Sequence, residues 1–407
     1  MNYNINAVYW IFIQAVLGQG SAKLVELTRR FGSARAFCEC RPDELKATGL
    51  LSRGELARFE RTTLEQCYGV IDRCANLGYG IITPNDKLYP KRLAQIPNPP
   101  AVLYVKGEFP NFDDEVAIGM VGTRKCSAKG KSIARELAYR LSEAGATVVS
   151  GGAVGIDSSS HIGAIRAGGK TYAVLGCGIN YPYLAVNAEL RRDISENGAL
   201  ISEYPPDEPA SRATFPIRNR IISGLCLGTV VVEATRSSGS LITVDHALEQ
   251  GRDIFVIPGE ISDPLYAGSN RLIRDGAIAV ITPSDILCEY NAAYPHKLNL
   301  ANASNPITFS DPPVANTADE LPVRDELQSG EETQMNIPVK PVDLNGLTPD
   351  ARLLYEKFSV HNGEAFDAVT DTGELSSPRA ISALSELEIM GYIKALPGGR
   401  YTLNRNL

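Results

Sequence analysis

The chain predicts an α/β protein: a doubly wound parallel sheet forming an extended Rossmann-like core, with a small helical domain before it and a winged helix after it. Three observations carry the prediction for the core. Short apolar runs at residues 116–121, 147–150, 172–175, 229–233 and 254–257 do not alternate polar with apolar, as expected of strands buried on both faces. Each run ends in a turn rich in glycine or serine, namely Gly122-Thr123-Arg124, Gly151-Gly152-Ala153-Val154-Gly155, Gly176-Cys177-Gly178, Ser237-Ser238-Gly239-Ser240 and Pro258-Gly259. Helical patterns follow the turns, as at residues 131–143, where leucine and alanine recur at helical spacing. Strands and helices alternating in this way put every such turn at the carboxyl edge of the sheet, where helix N-termini and diverging loops form a ligand crevice.

The flanks read differently. Residues 1–68 carry apolar positions at helical spacing in 8–17 and 24–31, separated by Gly18-Gln19-Gly20. That glycine pair is either a plain turn, the commoner case, or the phosphate-holding turn of a helix-hairpin-helix. A similar segment at 49–52 precedes another helix. Residues 79–107 extend the sheet through a strand at 102–105, and their prolines suit an edge and oppose a helix. The core is expected to span 79–288. Residues 290–346 read as an acidic flexible linker: from 299 to 346 there are eight acids against Arg324 and Lys340, and few aliphatics. Residues 347–407 suggest helices at 349–361, from Ala365 and at 378–390, then strands 392–396 and 400–403 about Pro397-Gly398-Gly399, the pattern of a winged helix.

The 407 residues leave room for two or three domains. A mean hydropathy of -0.09 fits a water-soluble chain, and no stretch reads as a membrane span or a signal peptide. The eight cysteines form no C-x-x-C pair, so reduced thiols and a cytoplasmic location are expected, with no metal site and no cofactor. A net charge of -7 does not exclude nucleic acid, because most of the excess lies in the linker. The winged helix is the weaker DNA candidate: its third helix carries Arg379 against Glu386 and Glu388, and Leu384, Leu387, Ile389 and Met390 read as core.

The chemistry gathers at the turns. Arg124, Lys125, Lys129 and Lys131 follow the first strand, and Arg212, Phe215, Arg218, Asn219 and Arg220 lie on a later loop and helix. Guanidinium groups, glycine-loop amides and one aromatic face together suit the phosphates and bases of a single strand. The plainer alternative is that Arg218 and Arg220 pair with core carboxylates. Asp157 reads as a first-turn acid favoured by the helix dipole, and His161 and His246 as structural histidines without catalytic partners. No Walker loop is present, so ATP hydrolysis is not indicated.

In this order the motifs resemble the DNA-processing protein A (DprA/Smf) family. The matching stretches include Val121-Gly122-Thr123-Arg124, Ser150-Gly151-Gly152-Ala153-Val154-Gly155-Ile156-Asp157, Tyr181-Pro182 with Asn187, and Ser202-Glu203-Tyr204. They continue through Phe215-Pro216-Ile217-Arg218-Asn219-Arg220-Ile221-Ile222-Ser223-Gly224, Val232-Glu233-Ala234, Ser238-Gly239-Ser240-Leu241-Ile242-Thr243 and Asn270-Arg271-Leu272-Ile273. The resemblance implies a non-enzymatic, cytoplasmic mediator that binds incoming single-stranded DNA during natural transformation and helps load RecA recombinase. It implies a DNA site of Gly122, Thr123, Arg124, Lys129, Ser150, Gly151, Gly152, Arg212, Phe215, Arg218, Asn219 and Arg220, and a homodimer formed near Leu272 and Ile273. Lys129 stands where an aromatic is frequent, and Gly152 and Val154 replace a usual leucine and arginine. Two competing readings are a nucleotide N-glycosidic hydrolase using Glu233 and a winged-helix transcription factor. Against the hydrolase, Glu260-Ile261 follows Pro258-Gly259, so its P-G-G-x-G-T turn is missing.

Overall fold

The computed structural model describes residues 6–183, 185–303, 347–360, 377–390, 392–396 and 400–403. The chain falls into two compact units, divided after Pro312. The first is a mixed α/β body. Its nine-stranded sheet has the order β1-β2-β6-β5-β4-β3-β7-β8-β9, where the strands are β1 (Gly80–Ile82), β2 (Leu103–Gly107), β3 (Ala117–Val121), β4 (Thr147–Ser150), β5 (Thr171–Leu175), β6 (Gly198–Ser202), β7 (Gly228–Val231), β8 (Asp253–Val256) and β9 (Ile278–Ala279). From β6 to β9 all pairings are parallel; β2 runs antiparallel to both β1 and β6. The apolar runs predicted as doubly buried are so: every residue of 116–121, 147–150, 172–175, 229–233 and 254–257 is buried. β6, which those runs did not include, is buried throughout as well.

Side chains alternate between two faces, and each face has its own core. From β3, Ile118 and Met120 join α8 (Ala128–Glu143), α9 (Ile156–Arg166) and α14 (Ser284–Asn291) on one side. Ala117 and Val121 point the other way, toward α11 (Thr214–Leu225) and α12 (Ser240–Glu249). Pro90, one of the prolines expected to suit an edge and oppose a helix, instead stands in extended conformation at the N-cap of a short one, α7 (Lys91–Ala94).

Six N-terminal helices precede the sheet: α1 (Ala7–Leu17), α2 (Lys23–Phe31), α3 (Ala34–Cys38), α4 (Pro42–Ala47), α5 (Arg53–Arg61) and α6 (Leu64–Leu77). Capping boxes at Ser52/Glu55 and Thr63/Gln66 start α5 and α6, each satisfying two otherwise unpaired amides. The helical segment therefore runs to 77 rather than 68. It shares one apolar cluster with Tyr104, Ala173, Leu175 and Leu200 of the sheet and with Leu190 and Ile194 of α10 (Ala188–Glu196). A second boundary also moves. Residues 290–303, read as the start of a linker, belong to the core: Tyr290, Leu298 and Ala303 are buried, and Tyr290 donates to Asp253 Oδ2 at 2.7 Å. The remainder of the expected linker, 304–346, lies outside the described residues.

The Gly18–Gly20 turn faces the core rather than a phosphate. Gly20 N donates to Glu203 Oε1 at 3.3 Å, and Asn98 Nδ2 donates to Gly20 O at 3.3 Å. Gln14 of α1 donates to Glu203 O at 2.7 Å and accepts from Tyr104 OH at 3.0 Å. At the centre of this node Arg220 Nη2 donates to Glu203 Oε1 at 2.7 Å, with side chains 1 % and 3 % exposed. The guanidinium also donates to Asn98 O at 2.9 Å and Ile217 O at 3.1 Å.

In the second unit, helices Pro349–Val360 and Ser377–Ile389 pack with a hairpin of Ile393–Leu396 and Arg400–Leu403. Leu384 and Leu387 are buried with Leu354 and Ile393, but Met390, expected in the core, is exposed. The helix expected from Ala365 and the turn at 397–399 lie outside the described residues.

Removing one member of a buried ion pair strands the other. Glu203→Ala and Arg220→Ala are each expected to lower the unfolding free energy by about 3–5 kcal/mol, and the double variant by less than the sum of the two. Denaturant unfolding of the four proteins checks this; strictly additive losses would show that the pair is not the coupling element.

Candidate nucleic-acid interface

Strand order reverses at β3, with β4, β5 and β6 on one side and β7, β8 and β9 on the other. The loops leaving the carboxyl ends of β3 and β7 must therefore part, which opens a crevice in this class of sheet. Here it is a cleft of about 960 Å³. The loop after β3 supplies Gly122, Thr123, Arg124 and Lys125, and the loop after β7 supplies Thr235 and Ser237–Ser240. Arg212, Phe215, Arg218 and Asn219 complete the third wall.

The first loop is held from both sides. Fully buried Glu233 accepts hydrogen bonds from Ser127 N at 2.9 Å and Ser127 Oγ at 2.5 Å, and its carbonyl accepts from Thr123 N at 2.8 Å. Ser127 Oγ in turn accepts from Gly130 N at 2.8 Å and caps α8. Behind the loop Gly155 has φ +92°, and a Cβ there would stand 2.7 Å from the carbonyl oxygens of both Thr123 and Arg124, so only glycine fits. With its base fixed, the loop leaves Arg124 and Lys125 exposed at the mouth. Glu233 is spent on this bracing and presents no oxygen to the cleft, which removes the acid that the hydrolase reading required.

The second loop is tied to α11. Arg218, 4 % exposed, donates to Gly151 O at 2.7 Å and also to Val174 O. Asp157, in the first turn of α9, lies beside it; burial pushes the Asp157 carboxyl up, and the Arg218 charge partly offsets this. Ser150 does not reach the cleft, because its buried hydroxyl donates to Met120 O at 2.6 Å. Gly151 and Gly152 are buried too and line a small pocket beneath the cleft with Leu175 and Cys177. The Gly152 carbonyl is occupied by Asn187 Nδ2 at 3.1 Å.

On the third wall, residues 215, 218, 219 and 222 follow helical spacing and share the cleft face of α11. Arg220 falls on the opposite face, inside the Glu203 node, and is therefore not a DNA contact. Arg212 is exposed. Phe215 is half-buried, with the Arg124 guanidinium 5.1 Å and that of Arg218 5.9 Å from its ring centre. Lys129 is exposed on the first turn of α8 and is not among the residues lining the cleft. Sequence reasoning did not find Tyr183, whose ring lies 5.1 Å from that of Phe215, nor Arg236, exposed between the lining residues Thr235 and Ser237. Arg236 could have been read from its place in the serine turn; Tyr183 sits in an irregular loop with no periodic signal.

The model of the family described as DNA recombination-mediator protein A matches residues 80–291, which hold the whole sheet and the cleft. The chain belongs to that family. DNA processing protein DprA of Bacillus subtilis is 38% identical over 259 residues, covering 62% of this chain and 84% of the relative. Protein Smf of Escherichia coli is 33% identical over 365 residues, covering 89% and 87%. The X-ray structure of DNA processing protein A from Streptococcus pneumoniae superposes with a TM-score of 0.61 at 32% identity, over 71% of this chain and 99% of that one. As a member of the recombination-mediator family, the chain is a DNA-processing protein and not an enzyme. Among the described residues no helix is long and apolar enough to cross a membrane.

His161 on α9, fully buried behind the cleft loops, gives the stability of the fold a pH signature. Its Nδ1 lies 2.7 Å from Thr171 Oγ1, whose hydroxyl proton is already donated to Val148 O at 2.9 Å, so Nδ1 must carry the ring hydrogen. Burial, assisted by the Arg218 charge, pushes its pKa down to about 3. A folded pKa below the ordinary 6.5 means that the fold favours the neutral ring, so its contribution to stability is complete above about pH 6.5 and is lost as pH falls toward 3. Between pH 6 and 4 the wild type is expected to lose up to about 1.4 kcal/mol per pH unit more than His161→Asn. Denaturant unfolding at three pH values checks this; equal slopes would mean that the ring is not held neutral.

Proposed function

We propose that this chain is a cytoplasmic, single-stranded DNA-binding recombination mediator that covers incoming DNA in natural transformation and helps load RecA recombinase on it. The observation that carries the reading is the composition of the cleft: exposed Arg124, Lys125 and Arg212 line it together with Phe215, and the Arg124 guanidinium lies 5.1 Å from the Phe215 ring centre. Cations alone would take any polyanion. An aromatic face set among them is useful only to a strand whose bases are unstacked and reachable, which a duplex does not offer. Gly122 and Thr123 supply backbone and Asn219 a polar side chain at the same surface.

The homodimer is proposed at the open edge of the sheet. Ile278 of β9 and Ile281 are exposed there, beside half-buried Leu272 and Ile273 of α13 (Ala267–Arg274). The second unit reads as a winged helix with a protein-docking or regulatory role. Arg379, the basic residue of its helix Ser377–Ile389, is held by Asp350 through bonds of 2.9 and 2.7 Å, and net charge over 347–407 is about -2 from eight acids and six bases. A transcription factor acting through that helix would need several donors facing a groove.

Arg124→Ala combined with Arg212→Ala is expected to cost about 2–5 kcal/mol of single-strand affinity, as two charge-assisted phosphate contacts would. Fluorescence anisotropy with a labelled oligothymidylate measures it. Unchanged affinity in a double variant that melts like the wild type would move the site elsewhere.

A further inference from the structure

Phe215 does not stand alone in the cleft. Tyr183 lines both the cleft and the small pocket beneath it, and its ring is inclined 40° to that of Phe215 at a centroid distance of 5.1 Å. Two rings so inclined are not stacked on each other. They present faces in different directions, which suits successive bases of a strand that has lost its own stacking. Phe215 rests on the backbone of Gly176, where a Cβ would stand 2.8 Å from its Cδ1. One side of Phe215 is covered by the Arg124 guanidinium, so the contact open to a base at this ring is shared with a cation that a phosphate also attracts.

The loop that carries Tyr183 is held by the side chain of Arg191, and by Asn180 Nδ2, which donates to Asp207 Oδ1 at 2.5 Å. Arg191 on α10 donates Nη1 to Tyr181 O at 3.3 Å and Tyr183 O at 3.0 Å, and Nη2 to Ile179 O at 2.9 Å. Burial pushes its pKa down, and no carboxylate is among the groups that offset this. Part-burying a guanidinium without a carboxylate costs desolvation, which its bonds to three carbonyls of this one loop offset, so the side chain and the loop fix each other. The planar fork reaches three acceptors at once, which an ammonium on a flexible stem does not reproduce. The same loop is stitched to the segment leading to Arg212, through Gly178 N to Glu208 O and Asn180 N to Pro206 O, both 2.8 Å.

We infer that Tyr183 is a second base-contacting residue, forming with Phe215 a two-ring platform for adjacent bases of a single strand, and that Arg191 is the positioning residue that sets it. The inference rests on the reading of the cleft as the single-strand site. It separates base contact, which belongs to the rings, from phosphate contact, which belongs to Arg124 and Arg212.

The test compares two labelled strands of equal length in the full chain, an oligothymidylate and one made of abasic sites. Tyr183→Ala should weaken thymidylate binding about ten-fold while leaving the abasic strand unchanged. Tyr183→Phe should retain most of the affinity. Arg191→Gln should give the same base-selective loss with the salt dependence intact, because phosphate contacts are not removed. Equal losses on both strands, or none on either, for Tyr183→Ala would overturn the proposal, and that variant changes a side chain already part-exposed. Undiminished abasic binding by the Arg124/Arg212 double variant would instead overturn the cleft reading itself.

Discussion

The buried pair of Glu203 and Arg220 is the interaction on which the cleft depends. It joins four parts of the chain that are distant in sequence: the end of β6, the back of α11, the loop at Asn98 and the turn after α1. A charge pair this deep gains little net stability, since desolvation offsets most of the Coulomb attraction. What it does supply is geometry. With its back face locked, α11 can present residues 215, 218, 219 and 222 to the cleft in one orientation. The N-terminal helices are thereby part of the framework that sets the cleft, through Gln14 and Gly20 at Glu203.

A division of labour runs through the polar residues. Buried carboxylates brace, and exposed cations stand at the cleft mouth. Glu233 holds the loop that bears Arg124, and Asp157 sits beside the guanidinium that ties the second glycine loop to α11. Arg218 and Arg220 are buried in this framework, while Arg124, Lys125 and Arg212 are exposed. A chain of net charge -7 can therefore present a locally basic cleft.

Most of the sheet was legible because doubly buried strands lack alternation, and glycine turns mark where such strands end. The carboxyl-edge crevice followed from that pattern alone. Which arginine of the run Arg218-Asn219-Arg220 faces the cleft was not legible: residues two apart on a helix point to nearly opposite sides, and only packing decides which side is solvent. Ser150 misled for a related reason, since a serine ending a buried strand can turn its hydroxyl to a neighbouring carbonyl. Residues 290–303 looked like linker because alanine and asparagine make up half of them and the acidic, proline-rich stretch follows directly. Three well-spaced side chains, Tyr290, Leu298 and Ala303, suffice to anchor them. Tyr183 lay in a loop whose shape is set by Arg191, a long-range contact that no local pattern announces.

A cleft that takes a single strand by phosphates and unstacked bases together must tell that strand from its duplex. Equilibrium binding of the full chain to a single strand and to its duplex, titrated from low to high salt, tests it most directly. Binding to the single strand is expected to be tighter at every salt concentration, with a log–log salt slope reflecting about two or three phosphate contacts and a preference that persists as electrostatics are screened. Equal affinities for the two forms, or a preference that vanishes at high salt, would contradict it.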